Sequence, residues 1–305
     1  MQLVVALNRL PANLRGALWL VAGSLIFTGV GIFIRLASLH RDSMQISFFR
    51  SAFGLIFVLP VLWQRRLNPL ATGRLWEHFN RAVMGTAAMV CGFYAVSHLL
   101  LADATAISFS QALFVTVIAA VLLRETVRWR RWTATLVGFV GVIIMMHPGP
   151  GSLQIAALVA VANAFLSAMS VIYVKRLSET ESALSILATF AIFSTILLLP
   201  TAVFVWRWPD WLDWIYVAAI GLFATYGQYC MVRAYDTADV SFVAPFDYLR
   251  LPFSAGLGFL IFQEWPTWWT LVGALVIVVS TFYIARREAK LGVALPGQVR
   301  AQRPT

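Results

Sequence analysis

Charge is what this sequence has least of. Asp, Glu, Lys and Arg make up 12% of its 305 residues, against roughly a quarter in an ordinary soluble domain. So few charges cannot cover the water-facing surface of a 33.9 kDa globule, which excludes a soluble enzyme as well as a disordered chain. Cysteine is scarce too. Cys91 and Cys230 each sit inside an apolar stretch with no metal-ligand spacing around them. That rules out a disulfide scaffold and leaves them as small buried hydrophobes. Catalytic signatures are also missing: there is no nucleophile-elbow serine, no HExxH and no glycine-flanked pair of membrane aspartates. No P-loop is present, so the chain alone does not drive pumping with ATP, and no cofactor or metal is called for.

Acidic residues are the rarer sign, 13 against 23 Lys and Arg, for a net charge of +10. In a soluble protein that balance suggests nucleic acid. Between apolar spans, basic residues instead fix the cytoplasmic side. The expected partner is therefore a lipid bilayer and not nucleic acid.

Apolar runs are what the sequence has in abundance: 60% hydrophobic residues and a mean hydropathy of +0.80. They predict ten spans, near 14–36, 44–63, 82–98, 105–123, 132–147, 153–174, 183–206, 214–232, 240–262 and 267–285. Each is long enough to cross about 30 Å of hydrocarbon at about 1.5 Å per residue with some tilt. The first run is too long for a signal-peptide core and has no small-residue cleavage site. With the N-terminus in the cytoplasm, eighteen of the 23 Lys and Arg fall inside. Arg41 and Arg207 lie outside, Arg35 sits near the outer end of the first span, and Arg50 and Arg250 are in the membrane. Trp206, Trp208, Trp211, Trp214, Trp265, Trp268 and Trp269 then gather at the outer ends, as an interfacial belt does. The expected location is the cell inner membrane, multi-pass, with both termini cytoplasmic.

The chain repeats itself. Arg35-Leu36 matches Arg176-Leu177, and Leu59-Pro60 matches Leu199-Pro200. Gly85 pairs with Gly221, Ala102-Asp103 with Ala238-Asp239, Leu136-Val137-Gly138 with Leu271-Val272-Gly273, and Glu125 with Glu264. Their common order and narrow range of offsets predict a duplication of five spans, with 1–149 as the first repeat, 150–290 as the second and 291–305 as a disordered cytoplasmic tail. Five is odd, so the second copy enters the membrane with opposite polarity. The fold expected is an all-α polytopic membrane protein of ten transmembrane helices in two inverted five-helix repeats. Such copies can exchange conformations and open a central site first to one side and then to the other.

The residues resemble the drug/metabolite transporter superfamily in its ten-helix EamA-type branch, over essentially the whole chain. The resemblance rests on Phe48-Phe49-Arg50, Leu101-Ala102-Asp103-Ala104-Thr105, Leu122-Leu123-Arg124-Glu125, and Trp132 through Leu136-Val137-Gly138. The second half adds Ala244-Pro245-Phe246-Asp247-Tyr248 and Phe262-Gln263-Glu264. It implies a central cavity between the halves and transport of small metabolites. The family often carries a proline in the fourth span; Gln111-Ala112-Leu113 stands there instead, which removes the residue expected to kink it.

An ionisable side chain within a span marks a functional site by default. Asp247 and Arg250 are three apart and share a helix face. Pro245 and Pro252 bracket them, each leaving a carbonyl without its helical donor. Arg250 is expected to anchor a substrate carboxylate or phosphate, with Asp247 holding it or facing an amine; the alternative is an internal ion pair. Arg50 either snorkels to the outer headgroups or makes a buried anion contact or gate. Tyr94 and His98 share one face of the third span, and Tyr226 and Tyr229 one face of the eighth. Gln111 with Ser108, and Asn163 with Ser167 and Ser170, form polar stripes. Together Arg50, Tyr94, His98, Gln111, Asn163, Tyr226, Tyr229, Asp247 and Arg250 are the candidate substrate-binding residues. His98 is the histidine best placed for proton coupling, with a counter-substrate as the other driver. Gly138, Gly141 and Gly273 predict close helix approach, within the scaffold or across a homodimer. Pro60 and Pro200 stand near span ends, as hinges or terminators.

The function expected is secondary transport of a small organic metabolite, with an amino acid or related compound as the leading cargo, by alternating access. An intramembrane enzyme, a lipid-headgroup flippase and a passive channel are the alternatives.

Overall fold

The computed structural model describes residues 12–64, 68–122, 129–146, 155–177, 179–237 and 244–290. Among these residues there are α-helices and one 3-10 turn, and no strand. The helices are α1 (Ala12–Ser38), α2 (Ser43–Gln64), α3 (Leu75–His98), α4 (Leu101–Ser108), α5 (Gln111–Leu122), α6 (Trp129–Met146), α7 (Ile155–Leu177), α8 (Ala183–Phe204) and α9 (Trp211–Thr237). The 3-10 turn Ala244–Leu249 then leads into α10 (Arg250–Phe262), and α11 (Trp268–Lys290) follows. Helix is the outcome lipid demands, because no solvent there satisfies a backbone amide left open. The Leu123-Arg124-Glu125 end of the fourth span, Ala238-Asp239 and the tail from 291 lie outside the described residues.

Among the described residues, five stretches are long and apolar enough to cross a membrane: Leu14–Ser38, Ser43–Gln64, Leu101–Leu122, Ile155–Val174 and Leu184–Phe204. Trp132–Ile144 and Trp268–Ser280 are shorter apolar helices. The other expected spans are diluted by polar residues. α3 starts at Leu75, ahead of the expected boundary at 82, and so takes in Glu77, His78, Asn80 and Arg81. Its first turn is held by Arg74, whose Nη2 donates to Glu77 Oε2 at 2.7 Å and whose backbone N–H donates to Thr72 Oγ1 at 3.1 Å.

Packing follows a two-fold rule. α1 packs on α9, and five spans on, its counterpart α7 packs on α3. α3 also meets α8, just as α9 meets α2. The pairs α2–α8, α6–α11 and α4–α10 each join a span to its own counterpart. At the α6–α11 pair the backbones touch: a Cβ on Gly141 would lie 2.9 Å from the Gly273 carbonyl oxygen. Gly138 faces Leu113 of α5. These glycines are therefore used inside the chain, and the surface they make is not a free one.

The fourth span is broken without a proline. Ser108 closes α4 and Gln111 opens α5. Between them the hydrogen bonds shorten by one residue: Phe109 N–H to Ala106 O (3.2 Å), Ser110 N–H to Ile107 O (3.0 Å) and Leu113 N–H to Ser110 O (2.9 Å). Serine hydroxyls supply further donors there. Ser108 Oγ donates to Thr105 O and Ser110 Oγ to Ile107 O, each at 2.6 Å. Such local side-chain bonds offer the backbone an alternative to the helix ladder. In the ninth span the 3-10 turn does the same job, and Pro252 falls in the first turn of α10, where its missing N–H has no helical partner to lose. Pro60 and Pro200 do not end their helices; α2 and α8 run on to Gln64 and Phe204.

Candidate substrate-binding site

The two broken spans pack on each other and border a cavity of about 430 Å³, within the size range of small-molecule sites. Both halves line it. The first contributes Phe27 and Gly31 from α1, Arg50 from α2, Gly85, Ala88 and Gly92 from α3, and Thr105, Ser108 and Gln111 from the fourth span. The second contributes Asn163, Ser167 and Ser170 from α7, Phe190 from α8, Ala224 from α9 and Arg250 from α10.

Of the candidate residues, Arg50, Gln111, Asn163 and Arg250 meet here. Arg50 does not snorkel. Its neighbours Phe48 and Phe49 on α2 turn to the tryptophans, with Phe49 ring centroids 5.6 Å from Trp206 and 5.2 Å from Trp214. Arg50 turns the other way, to the cavity. Asn163 Nδ2 donates to Ala88 O at 2.6 Å, and a Cβ on Gly92 would meet that amide at 2.8 Å. Arg250 Nη2 donates to Asp247 Oδ1 at 2.8 Å, the same oxygen that accepts from Ser24 Oγ at 3.1 Å. Asp247 thus neutralises and aims Arg250 without lining the cavity itself, so the expected contact with an amine is not part of this geometry. The guanidinium also lies 5.1 Å from the Phe27 ring centroid.

The remaining four stand elsewhere. Tyr94 and His98 stack on each other at 4.0 Å, and His98 Nδ1 lies 2.9 Å from Tyr94 O. Tyr226 and Tyr229 are 52% and 50% exposed on the outside of α9, where Tyr229 meets Trp19 edge-on at 6.0 Å. Helical spacing put each pair on one face, as expected, but in both cases that face does not line the cavity.

Sequence reasoning missed Arg81, counting it among the inside charges. Its guanidinium sits 4.0 Å over the Phe190 ring, which lines the cavity, and its Nε and Nη1 are buried without a partner. A signal was present: Arg81, Gly85, Ala88 and Gly92 fall at helical spacing, a small-residue stripe leading away from a cation.

At one end of the bundle the halves are tied by the family-like motifs. Arg35 pairs with Glu264 and donates to Leu99 O at 3.0 Å, and the Leu101 N–H donates to Glu264 Oε2 at 3.0 Å. Glu264 is turned inward because Gln263 (φ 57°) closes α10 left-handed, with Gln263 N–H on Phe259 O and Glu264 N–H on Gly258 O. Thr270 Oγ1 donates to Asp103 Oδ1 at 2.5 Å, and the Thr105 and Ser254 hydroxyls lie 2.9 Å apart. Beside them Arg41 pairs with Asp213 (2.5 Å), and Gln45 Nε2 donates to Arg207 O at 2.7 Å. At the opposite end Arg74 Nη1 donates to Arg176 O at 2.9 Å, Thr72 bonds to Glu181, and Thr189 Oγ1 meets His78 Nδ1 at 2.8 Å.

A helical bundle whose two halves enclose a largely apolar cavity set with a few polar and charged groups, beside broken membrane spans, defines a polytopic transporter of small solutes. The chain belongs to the EamA-like transporter family, whose family model matches it twice, at residues 14–147 and 154–286. It is 29% identical over 284 residues to the S-adenosylmethionine uptake transporter of Rickettsia prowazekii, covering 93% of this chain and 96% of that one. It is 29% identical over 287 residues to the riboflavin transporter of Vibrio cholerae, covering 91% and 95%. To the pseudopaline exporter CntI of Pseudomonas aeruginosa it is 27% identical over 280 residues, covering 90% and 96%. These relatives are membrane transporters of small metabolites and not enzymes, and so is this chain. Their cargoes differ, so the expected amino acid does not follow from family membership.

Proposed function

We propose that this protein is a secondary carrier that moves an amino acid or a related polar-headed compound across the cell inner membrane by alternating access. The observation that carries the reading is the cavity beside the two broken spans, lined by both halves and by Arg250, which is paired with Asp247. A charged pair at such a place favours a solute with a carboxylate or a similar acidic head. The relatives support a small polar cargo, since S-adenosylmethionine itself ends in an α-amino acid group.

The repeats are read as 1–149 and 150–290, inverted with respect to each other, with both termini cytoplasmic. The cluster of Arg35, Glu264, Leu101 and Asp103 then lies at the outer end. It consists of hydrogen bonds and an ion pair between halves, contacts that a rocking motion breaks and remakes as a unit. Coupling to a proton or to a counter-substrate supplies the driving force. The relatives include both an uptake transporter and an exporter, so direction is set by that coupling and not by the fold.

The test is counterflow in proteoliposomes loaded with one amino acid and presented with its labelled form. A carrier shows saturable entry stimulated by cargo on the far side. Entry that grows linearly with concentration and ignores the loaded solute contradicts alternating access and indicates a channel.

A further inference from the structure

Charge around the cavity is unevenly matched: Arg50 and Arg250 line it, and Arg81 sits behind its Phe190 wall. Arg250 has Asp247 beside it, whereas neither Arg50 nor Arg81 is ion-paired among the described residues; Glu77, one turn before Arg81, is taken by Arg74. The ion pairs among the described residues are Arg35–Glu264, Arg41–Asp213, Arg74–Glu77 and Arg250–Asp247. Arg81 Nε and Nη1 are buried with no hydrogen-bond partner, and the charge of Arg50 bears on Arg81 unfavourably. Two cations that repel one another inside a membrane protein are a costly arrangement unless an anion joins them. The surroundings leave room for that anion. That room is the cavity itself, which Arg50, Gly85, Ser170 and Phe190 line together. Gly85, one turn after Arg81, lets Phe190 and Ser170 pack close, since a Cβ there would lie 2.8 Å from Phe190 and 3.0 Å from Ser170 Oγ. Phe190 in turn lies under the Arg81 guanidinium, so that this one lining ring stands between Arg81 and the cavity.

We propose that Arg50 and Arg81 form a second anion site, which binds an acidic group of the cargo (a carboxylate or a phosphate) distinct from the head that Arg250 takes. The cargo class is thereby narrowed to amino-acid-like solutes that carry an additional negative charge. This rests on the carrier reading above, which names the same cavity as the binding site. Guanidinium groups suit the task because they stay charged when buried and meet both oxygens of a carboxylate or phosphate. The binding site is also a reservoir of strain: the empty protein holds two unpaired cations, and the acid relieves them.

The experiment is thermal unfolding of the purified full-length protein in detergent with matched probes: L-glutamate against L-glutamine, and O-phospho-L-serine against L-serine. At least one acid is expected to stabilise the wild type with an apparent affinity about tenfold or more above that of its neutral counterpart. Which acid does so tells carboxylate from phosphate. Arg81→Gln is expected to erase that preference and also to raise the unfolding temperature of the ligand-free protein, because one of two repelling charges is gone. Arg81→Lys keeps part of the preference. A purely structural Arg81 gives the opposite sign in the ligand-free protein. Should Arg81→Gln fail to accumulate as folded protein, Arg50→Gln carries the same two readouts.

The proposal is overturned if neither acid outperforms its neutral counterpart, or if the Gln variants keep the preference. Counterflow separates this from failure of the carrier reading. Saturable exchange of neutral amino acids, with no acid preference, leaves a carrier standing and removes the second site.

Discussion

The two halves of the molecule bring arginine to one cavity in different company. The second half supplies Arg250 with its counter-charge three residues away, in a turn where the chain passes from 3-10 to α-helix. The first half supplies Arg50 at the cavity and Arg81 behind its Phe190 wall, from two helices, and neither is ion-paired among the described residues. A duplicated fold has therefore kept its packing symmetric and let its cavity charge diverge. Packing must stay symmetric for the halves to exchange roles. Cargo recognition has no such requirement, and asymmetry gives the solute one orientation in the site.

The comparison breaks most sharply at the paired arginine. Arg250→Ala is expected to lower counterflow about 100-fold, equal to roughly 3 kcal/mol, since it strips the cargo contact and strands Asp247. Near-normal exchange in that variant would make Arg250–Asp247 an internal ion pair and nothing more. Asp247→Asn acts next: it leaves Arg250 uncompensated and is expected to destabilise the protein by about 2 kcal/mol, read as a lower unfolding temperature in detergent. That sign is the reverse of the rise expected for Arg81→Gln, which is how paired and unpaired arginines are told apart.

A smaller effect is expected at the break in the first half. Ser110→Ala removes the hydroxyl that serves Ile107 O and is expected to lose about 1 kcal/mol of stability. The smallest belongs to the lipid-facing tyrosines. Tyr226→Phe is expected to leave counterflow within about twofold of wild type, the range of an ordinary exposed substitution.

Much of this was legible in the sequence. Apolar run lengths fixed the spans, and the ordered matches between halves announced the duplication that the packing pairs display. Arg250, Arg50, Gln111 and Asn163 stood out because polar groups in lipid need a reason to be there. Three things were not legible. A break without proline depends on serine hydroxyls bonding backward, a choice that looks like any polar residue in a helix until the partners are seen. The faces of Tyr94 and Tyr226 depend on helix rotation against neighbours, which periodicity alone leaves free. Arg81 was hidden by its position just before the apolar run that starts at Ala82, where a topology-setting charge and a buried one read alike.

The central claim is that cargo meets an aqueous cavity reached alternately from the two sides of the membrane. Ser167 lines that cavity and is small, so Ser167→Cys in a background of Cys91→Ser and Cys230→Ser reports on it directly. A membrane-impermeant thiol reagent, applied to right-side-out or inside-out vesicles, is expected to label that cysteine from either face. Labelling from neither face, with the same cysteine reactive after unfolding, would contradict the cavity and the carrier built on it.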